Sequence, residues 1–217
     1  MKPKAVVLLS SGLDSSVNLY RAVKELDVVR VLTFNYGQRA ALKEVEKSTE
    51  LCKRLNLSHE VLDISWFKSF TQTSLLNESM DVPTDKVSIN DMKSSEESAK
   101  AVWVPNRNGI FLNIAAAFAE GLGAKYIIPG FNAEEAATFP DNSEDFMHAL
   151  DKSFSYSTSN GVNVKCYTTD MSKTEIVKLG RQLEVDFDLI WPCYMDGETL
   201  CGQCESCQRY ERAVENA

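Results

Sequence analysis

Hydrophobic positions along the chain fall into two alternating patterns. One is a short continuous apolar run, and the other is an apolar residue at every third or fourth position. Residues 5–9 (AVVLL) form the first run and read as a buried strand. Val17, Leu19, Tyr20 and Val23 follow at helical spacing and predict a helix over 15–24. The next pair is a strand at 28–34 (VVRVLTF) and a charged amphipathic helix at 40–55. That helix carries Leu42, Val45, Leu51, Cys52 and Leu55 on its apolar face. A third strand reads at 60–64 (EVLDI). An alanine-rich helix reads over 108–120, with Ile110, Phe111, Ile114 and Phe118 facing inward and Gly121 and Gly123 ending it. A strand at 126–129, a helix at 143–156, a strand at 163–166 and a helix at 172–183 complete the alternation.

This alternation predicts an α/β fold: a doubly wound, mostly parallel sheet with helices on both faces, Rossmann-like in its winding. On such sheets ligands sit beyond the carboxyl ends of the strands, where the strand order reverses. Segments 10–16, 35–39, 130–132 and 168–173 all fall at such ends. Two stretches break the rhythm. Residues 71–101 are polar and rich in Ser, Asp and Lys, and a loop of that length in a compact domain is expected to be an active-site lid or disordered. From Trp191 onward a cysteine cluster precedes a short charged helix. The expected organisation is one domain over 1–190, with its long loop at 71–101, and a small metal-binding segment over 191–217.

Of the 217 residues, 44% are hydrophobic and 25% charged, the composition of a soluble domain with one sizeable core. No apolar run approaches the roughly 20 residues that span a bilayer. No leader of the secretory kind precedes residue 5 either, so the chain is expected to be cytoplasmic and off the membrane. The net charge of −8 argues against stable nucleic-acid binding, which needs a basic face, yet leaves room for a local cluster of donors that holds a small anion. Of the six cysteines, Cys193, Cys201, Cys204 and Cys207 are spaced C-x7-C-x2-C-x2-C. In a reducing compartment that clustering points to a metal before disulfides, and four thiolates suit a structural tetrahedral zinc. An iron–sulfur cluster or a redox pair are the alternatives. Cys52 and Cys166 read as core residues.

The candidate chemistry lies at the strand ends. Segment 10–16 (SSGLDSS) is a tight turn into a helix start, where free backbone N–H groups and the helix dipole suit phosphate. It is neither a Walker loop nor a dinucleotide fingerprint. Its plain alternative is a capped helix with Ser or Asp as the cap. Ser11, which carries a Cβ, is expected to keep an ordinary backbone conformation. In 33–39 (TFNYGQR), Phe34 and Tyr36 offer a wall for a purine and Arg39 a fork for phosphate or carboxylate, unless this is a loop with one exposed Arg. In 104–109 (VPNRNG), a polar Asn-Arg-Asn opens the most apolar helix and needs partners. Asp141 suits the amidine-like edge of a guanine-type base, or else Asp141 or Asn142 caps the next helix. Lys173 at a helix start opposes the dipole, which a bound phosphate justifies, unless it is simply a solvated lysine. Neither His59 nor His148 is assigned a role.

These segments resemble known families. Ser10, Gly12, Leu13, Asp14 and Ser15 match the SGGxDS loop of the N-type ATP pyrophosphatases, with Ser11 in place of the first glycine. That loop, TFNYGQR, VPNRN, Gly130-Phe131-Asn132, Phe139-Pro140-Asp141, Ser-Lys-Thr-Glu-Ile at 172–176 and the cysteine spacing together resemble the 7-cyano-7-deazaguanine synthase family. The resemblance spans nearly the whole chain. It implies an ATP-dependent ligase that adenylates 7-carboxy-7-deazaguanine and converts it with ammonia to the nitrile, releasing AMP and pyrophosphate. ATP, Mg²⁺ and a structural Zn²⁺ are the implied cofactors, and a homodimer is the implied assembly. Asp14, Ser15, Arg107 and Lys173 are then expected to be catalytic. Ser10, Ser11, Gly12, Leu13, Asp14, Ser15, Ser16, Phe34, Arg39 and Lys173 are expected on ATP. Tyr36, Gln38, Arg107, Asn108, Gly130, Asn132, Phe139 and Asp141 are expected on the substrate. One stretch departs from the pattern: the family's Tyr-Ser-Gly-Tyr-Pro-Asp-Cys-Arg-Pro is Glu135-Ala136-Ala137-Thr138-Phe139-Pro140-Asp141-Asn142-Ser143 here. That departure keeps open a rival reading in which the adenylated deazaguanine forms an amide with another amine, for example on a protein. Another adenylating enzyme of the same superfamily and a zinc-stabilised nucleotide-binding module are further alternatives.

Overall fold

The computed structural model describes residues 1–71, 73–77, 79–82 and 100–217. Five parallel strands form one sheet in the order β3-β2-β1-β4-β5: β1 Lys4–Leu8, β2 Asp27–Asn35, β3 His59–Asp63, β4 Tyr126–Ile128 and β5 Asn163–Val164. The helices that connect and cover them are α1 Leu13–Glu25, α2 Ala41–Arg54, α3 Arg107–Gly121, α4 Ala133–Ala136, α5 Glu144–Ser157, α6 Lys173–Gln182 and α7 Glu205–Glu215.

The central strand shows why the sheet is doubly covered. Side chains alternate across a strand. Val6 therefore enters one apolar layer with Leu112, Ala115, Ala116 and Ala119 of α3. Ala5 and Val7 enter the opposite layer with Leu19 and Ala22 of α1 and Leu51 of α2. Alanines on α3 bring its backbone close to the sheet, Ile110, Phe111, Ile114 and Phe118 are half-buried against the same layer, and Asn113, Ala117 and Gly121 form its exposed edge.

The strand order reverses at β1, whose neighbours are β2 and β4. The ends of β1 and β4 thus frame the crevice where ligands bind on such sheets. Segment 10–15 leaves β1 into this crevice, and Gly130 follows β4.

Several boundaries differ from the sequence expectation. β5 covers only Asn163–Val164, and α1 begins at Leu13, two residues before the expected start at Ser15. The four-residue α4 and the 3₁₀ turns Ser65–Ser69, Pro140–Asn142 and Phe187–Leu189 were not expected, being too short to show a period. Ser143 caps α5 by accepting from the Phe146 N–H, so neither Asp141 nor Asn142 is that cap. Most of the segment expected as a lid, 83–99, lies outside the described residues, as do 72 and 78. Its described beginning is anchored: Leu75 and Leu76 are buried in the core, and Ser74 donates from both N and Oγ to the Ala101 carbonyl at 3.0 Å. Among the described residues, no helix is long and apolar enough to cross a membrane.

Candidate active site

The turn after β1 is built to leave donors free. Gly12 is the N-cap of α1, extended at φ −65° and ψ 163°, and has no side chain with which to cap it. The N–H groups of the first helical turn therefore lack the side-chain acceptor that a Ser or Asp cap supplies, and the plain capped-helix alternative does not hold. The hydroxyls are arranged around the turn instead. Ser15 Oγ donates to the Gly12 carbonyl (3.2 Å) and lies 3.2 Å from Ser10 Oγ. Ser11 Oγ, Ser16 Oγ and Asp14 Oδ1 are buried without a partner among the described residues. Buried polar atoms are normally satisfied, and of these three only Asp14 Oδ1 belongs to a residue that lines the cleft beyond the turn.

Ser11 corrects an expectation. Its φ is +57°, in the left-handed region, rather than ordinary. For a residue with a Cβ this costs about 1–2 kcal/mol. The compensation is visible: the Ser11 carbonyl accepts a 2.8 Å hydrogen bond from the Trp191 N–H, far along the chain.

Gly130 presses against the same turn. A Cβ there would lie 2.5 Å from Ser15 N and 2.6 Å from Ser15 Cα, backbone atoms that cannot swing aside. Gly130→Ala is expected to displace the turn, destabilise the fold by about 1–3 kcal/mol and raise KM for ATP at least as clearly as it lowers melting temperature. Steady-state kinetics alongside thermal unfolding check this.

A buried ion cluster adjoins the turn. Lys173 Nζ meets Asp14 Oδ2 at 2.5 Å and Glu135 Oε1 at 2.7 Å. Burial works against the lysine's charge, but the two carboxylates outweigh it and hold the ammonium protonated, with its pKa raised. Burial likewise works against Glu135, yet Lys173 keeps its carboxyl below the usual range. Asp14, the more enclosed acid, is pushed up by burial against the pull of Lys173. The lysine's position is set by a capping box, in which Ser172 Oγ accepts from Glu175 N and Glu175 Oε2 from Ser172 N. A phosphate was expected to justify Lys173 at this helix start. Two carboxylates already do so, and they are the partners the structure shows.

The cleft, of about 230 Å³, is lined by the turn, Lys173, Gln38, Arg107 and Asn108, and by an aromatic wall of Phe34, Tyr36 and Phe111. Phe34 and Phe111 stack with centroids 4.2 Å apart. Arg107 donates to Tyr36 Oη at 3.2 Å. The same Arg107, Glu135 and Lys173 also line an adjoining recess, where Trp103 and Phe139 lie parallel at 5.9 Å beside Asp141. Most expected site residues thus converge. Four do not: Arg39, Asn132, Ser11 and Ser16. Arg39 lies outside the cleft lining, and its guanidinium donates to the carbonyls of Asn77 and Met80 and contacts Met195 Sδ. Chain carbonyls there take the fork expected for phosphate. Asn132 is fully buried, and its side chain caps α4 by accepting from Glu135 N at 2.9 Å, so it does not face the cleft. Ser11 and Ser16 are also buried and stand behind the turn rather than in the cleft lining.

Sequence reasoning missed Glu135, Glu44, Trp103 and Tyr194. Glu135 stands three residues after Asn132, a spacing that reads as an ordinary capping pair. Tyr194, Ser206 and Tyr210 also line the cleft, from a segment the sequence treats as an appendage.

That segment carries the four cysteines. Their sulfurs all lie within 4.8 Å of one another, and Cys201 Sγ and Cys207 Sγ are 3.8 Å apart. A tetrahedron of thiolates about 2.3 Å from a zinc has edges of about 3.8 Å, so the donor set fits. Hydrogen bonds from Cys204 and Cys207 pull the Cys193 thiol down to about 2, while their bonds to Cys193 push Cys204 and Cys207 up. One sulfur thus takes the charge with its neighbours as donors, and a bound dication would have to displace their protons. Four protein ligands leave no open position, which marks a structural site.

Fold and cleft together define an α/β protein of the nucleotide-binding class, with a serine-rich turn after β1 opening onto its cleft. A family model described as "Queuosine biosynthesis protein QueC" matches residues 4–217. The chain is 59% identical over 216 residues to a 7-cyano-7-deazaguanine synthase of Bdellovibrio bacteriovorus, covering 99% of this chain and 94% of that one. It is 48% identical over 217 residues to one from Methanosarcina mazei, covering 98% and 94%. Among solved structures, it resembles a 4-thiouridine synthetase in complex with RNA and ATP (TM-score 0.55, 18% identity, 99% of this chain and 50% of that one). It also resembles NMN synthetase from Francisella tularensis (TM-score 0.51, 14% identity, 100% and 78%), and both likenesses concern the fold. The chain belongs to the QueC family of queuosine biosynthesis proteins.

Proposed function

We propose that the chain is a 7-cyano-7-deazaguanine synthase that uses ATP twice. The carboxylate of 7-carboxy-7-deazaguanine attacks the α phosphate, giving an acyl adenylate and pyrophosphate. Ammonia displaces AMP to form the amide. The amide oxygen is adenylated in turn, and loss of AMP leaves the nitrile. The observation that carries this reading is the uncapped turn at 10–15 sharing one cleft with Lys173 and an adjoining flat aromatic recess.

Each part has a physical task. N–H groups at the start of α1 and the hydroxyls of Ser10 and Ser15 bind the departing pyrophosphate, where charge grows. Lys173 adds a fixed positive charge beside them. Arg107 lines both halves of the cleft and suits the two anions that must meet there, the carboxylate and the α phosphate. Trp103 and Phe139 offer flat faces to the base, and Asp141 an acceptor for its amidine edge. The departing stretch 135–143 therefore builds the recess rather than abolishing it. Positioning of this kind accounts for most of the acceleration expected in such a transfer. The buried, unpartnered Asp14 Oδ1 is a hard oxygen ligand and fits Mg²⁺. When bound, Mg²⁺ neutralises phosphate charge. Zinc in the cysteine cluster has a structural role.

The test is incubation with ATP, ammonium and 7-carboxy-7-deazaguanine, followed by product masses. A nitrile, with AMP and pyrophosphate released, is expected. An amide adduct of another amine, with no nitrile, would refute the reading.

A further inference from the structure

Three carboxylates line the nucleotide cleft: Asp14, Glu135 and Glu44. The first two share Lys173. Glu44, in the first turn of α2, has no such partner. Its Oε2 accepts from Gln38 Nε2 at 2.8 Å. Gln38 is itself fixed, accepting from Tyr36 N at 2.9 Å and donating to the Phe34 carbonyl at 3.0 Å. Among the described residues, Glu44 Oε1 has no hydrogen-bond partner, and no Lys or Arg forms an ion pair with Glu44. The same cleft is lined by Phe34, Tyr36 and Phe111, and Tyr36 is close enough for the Glu44 charge to act on it.

Burial against this wall pushes the Glu44 carboxyl up to about 7, against the pull of the Gln38 hydrogen bond and of Arg107. Arg107 from α3 and Tyr36 from the preceding loop are the charged and titratable groups that act on it. An oriented carboxylate with an open oxygen and no ion pair of its own, in a cleft with an aromatic wall, suits a small cation that arrives from solution. A carboxylate made more basic is also a better proton acceptor near neutral pH.

We propose that Glu44 holds ammonium in the cleft and accepts its proton, releasing ammonia to attack the adenylated carboxyl carbon. This rests on the nitrile-forming reaction proposed above. The step balances as follows. Ammonium gives a proton to the Glu44 carboxylate. The freed lone pair forms the C–N bond, and the C–O bond to AMP breaks, with AMP taking its electron pair. The extra proton on nitrogen passes to solvent, as does the proton on Glu44.

The test compares the wild type, Glu44→Gln and Glu44→Asp with ATP, 7-carboxy-7-deazaguanine and ammonium across neutral to alkaline pH. A parallel series replaces ammonium with hydroxylamine, which is already unprotonated at neutral pH and needs no acceptor. Glu44→Gln is expected to lose about a hundredfold in kcat/KM for ammonium, the loss shrinking as pH rises and free ammonia accumulates. Its use of hydroxylamine should stay near wild type, and Glu44→Asp should recover part of the ammonium activity. An equal loss with hydroxylamine, or an ammonium loss that does not shrink with pH, would overturn the role. Absence of carboxylate-dependent pyrophosphate release in the wild type would overturn the reaction itself, and the role with it. Thermal melting separates a folding defect. Because the folded state raises this carboxyl, wild-type stability falls as pH rises from the ordinary glutamate range of 4.5 through about 7. Glu44→Gln removes that penalty and should melt higher than wild type only above this window. If it melts lower at every pH, Glu44→Asp carries the comparison.

Discussion

Lys173→Ala is expected to lose activity and stability together, by about 10²–10³-fold in kcat and about 3–5 kcal/mol in unfolding free energy. The stability loss follows from what the lysine leaves behind. Asp14 and Glu135 are both within 2.7 Å of its ammonium, and Lys173 itself is only 7% exposed. Without it two carboxylates face each other in a poorly hydrated place, each needing a proton to stay there. Denaturant unfolding and pyrophosphate release measure the two losses. The double variant Lys173→Ala, Glu135→Gln separates them: removing one orphaned charge should return part of the stability and none of the rate. If the double variant recovered the rate, Lys173 would be a structural counter-ion alone.

Stripping the cysteine cluster of its metal is expected to weaken ATP binding, besides destabilising the chain by several kcal/mol. The cluster is not remote from the cleft. Trp191, Cys193, Tyr194, Ser206 and Tyr210 line the cleft, and the Trp191 N–H holds the Ser11 carbonyl. Loosening the segment therefore frees Ser11 to leave its left-handed conformation, and the turn loses the shape that points its donors at phosphate. Chelation followed by ATP titration, with Cys204→Ala as the genetic counterpart, checks this. One metal per chain should restore both melting temperature and affinity. Unchanged ATP affinity in the stripped protein would show that the turn holds its shape alone.

Much of the architecture was legible because the parallel sheet is buried on both faces. Strands such as 5–9 and 28–34 must be apolar along their length, and α1, α2 and α6 must carry an apolar stripe. Those patterns are local, and so is the turn at 10–16. What escaped was set by contacts distant in sequence. The φ of Ser11 depends on Trp191. The fate of the Arg39 guanidinium depends on carbonyls at Asn77 and Met80. Asn132 and Glu135 look like a local capping pair, and they are one, yet the Glu135 carboxylate also crosses to Lys173. Trp103 has no period around it, and only its partner Phe139 gives it a place in the recess. β5 shrank because strand propensity at 163–166 outlasts the two pairs that β4 offers it.

The bond between Trp191 and Ser11 also orders events in time. During synthesis β1 and α1 emerge first, and segments of a chain begin to associate as they appear. The Ser11 carbonyl, however, waits for a partner that lies far along the chain, until Trp191 has been made and docked. A chain made only as far as α6 thus carries the turn without the brace that shapes it.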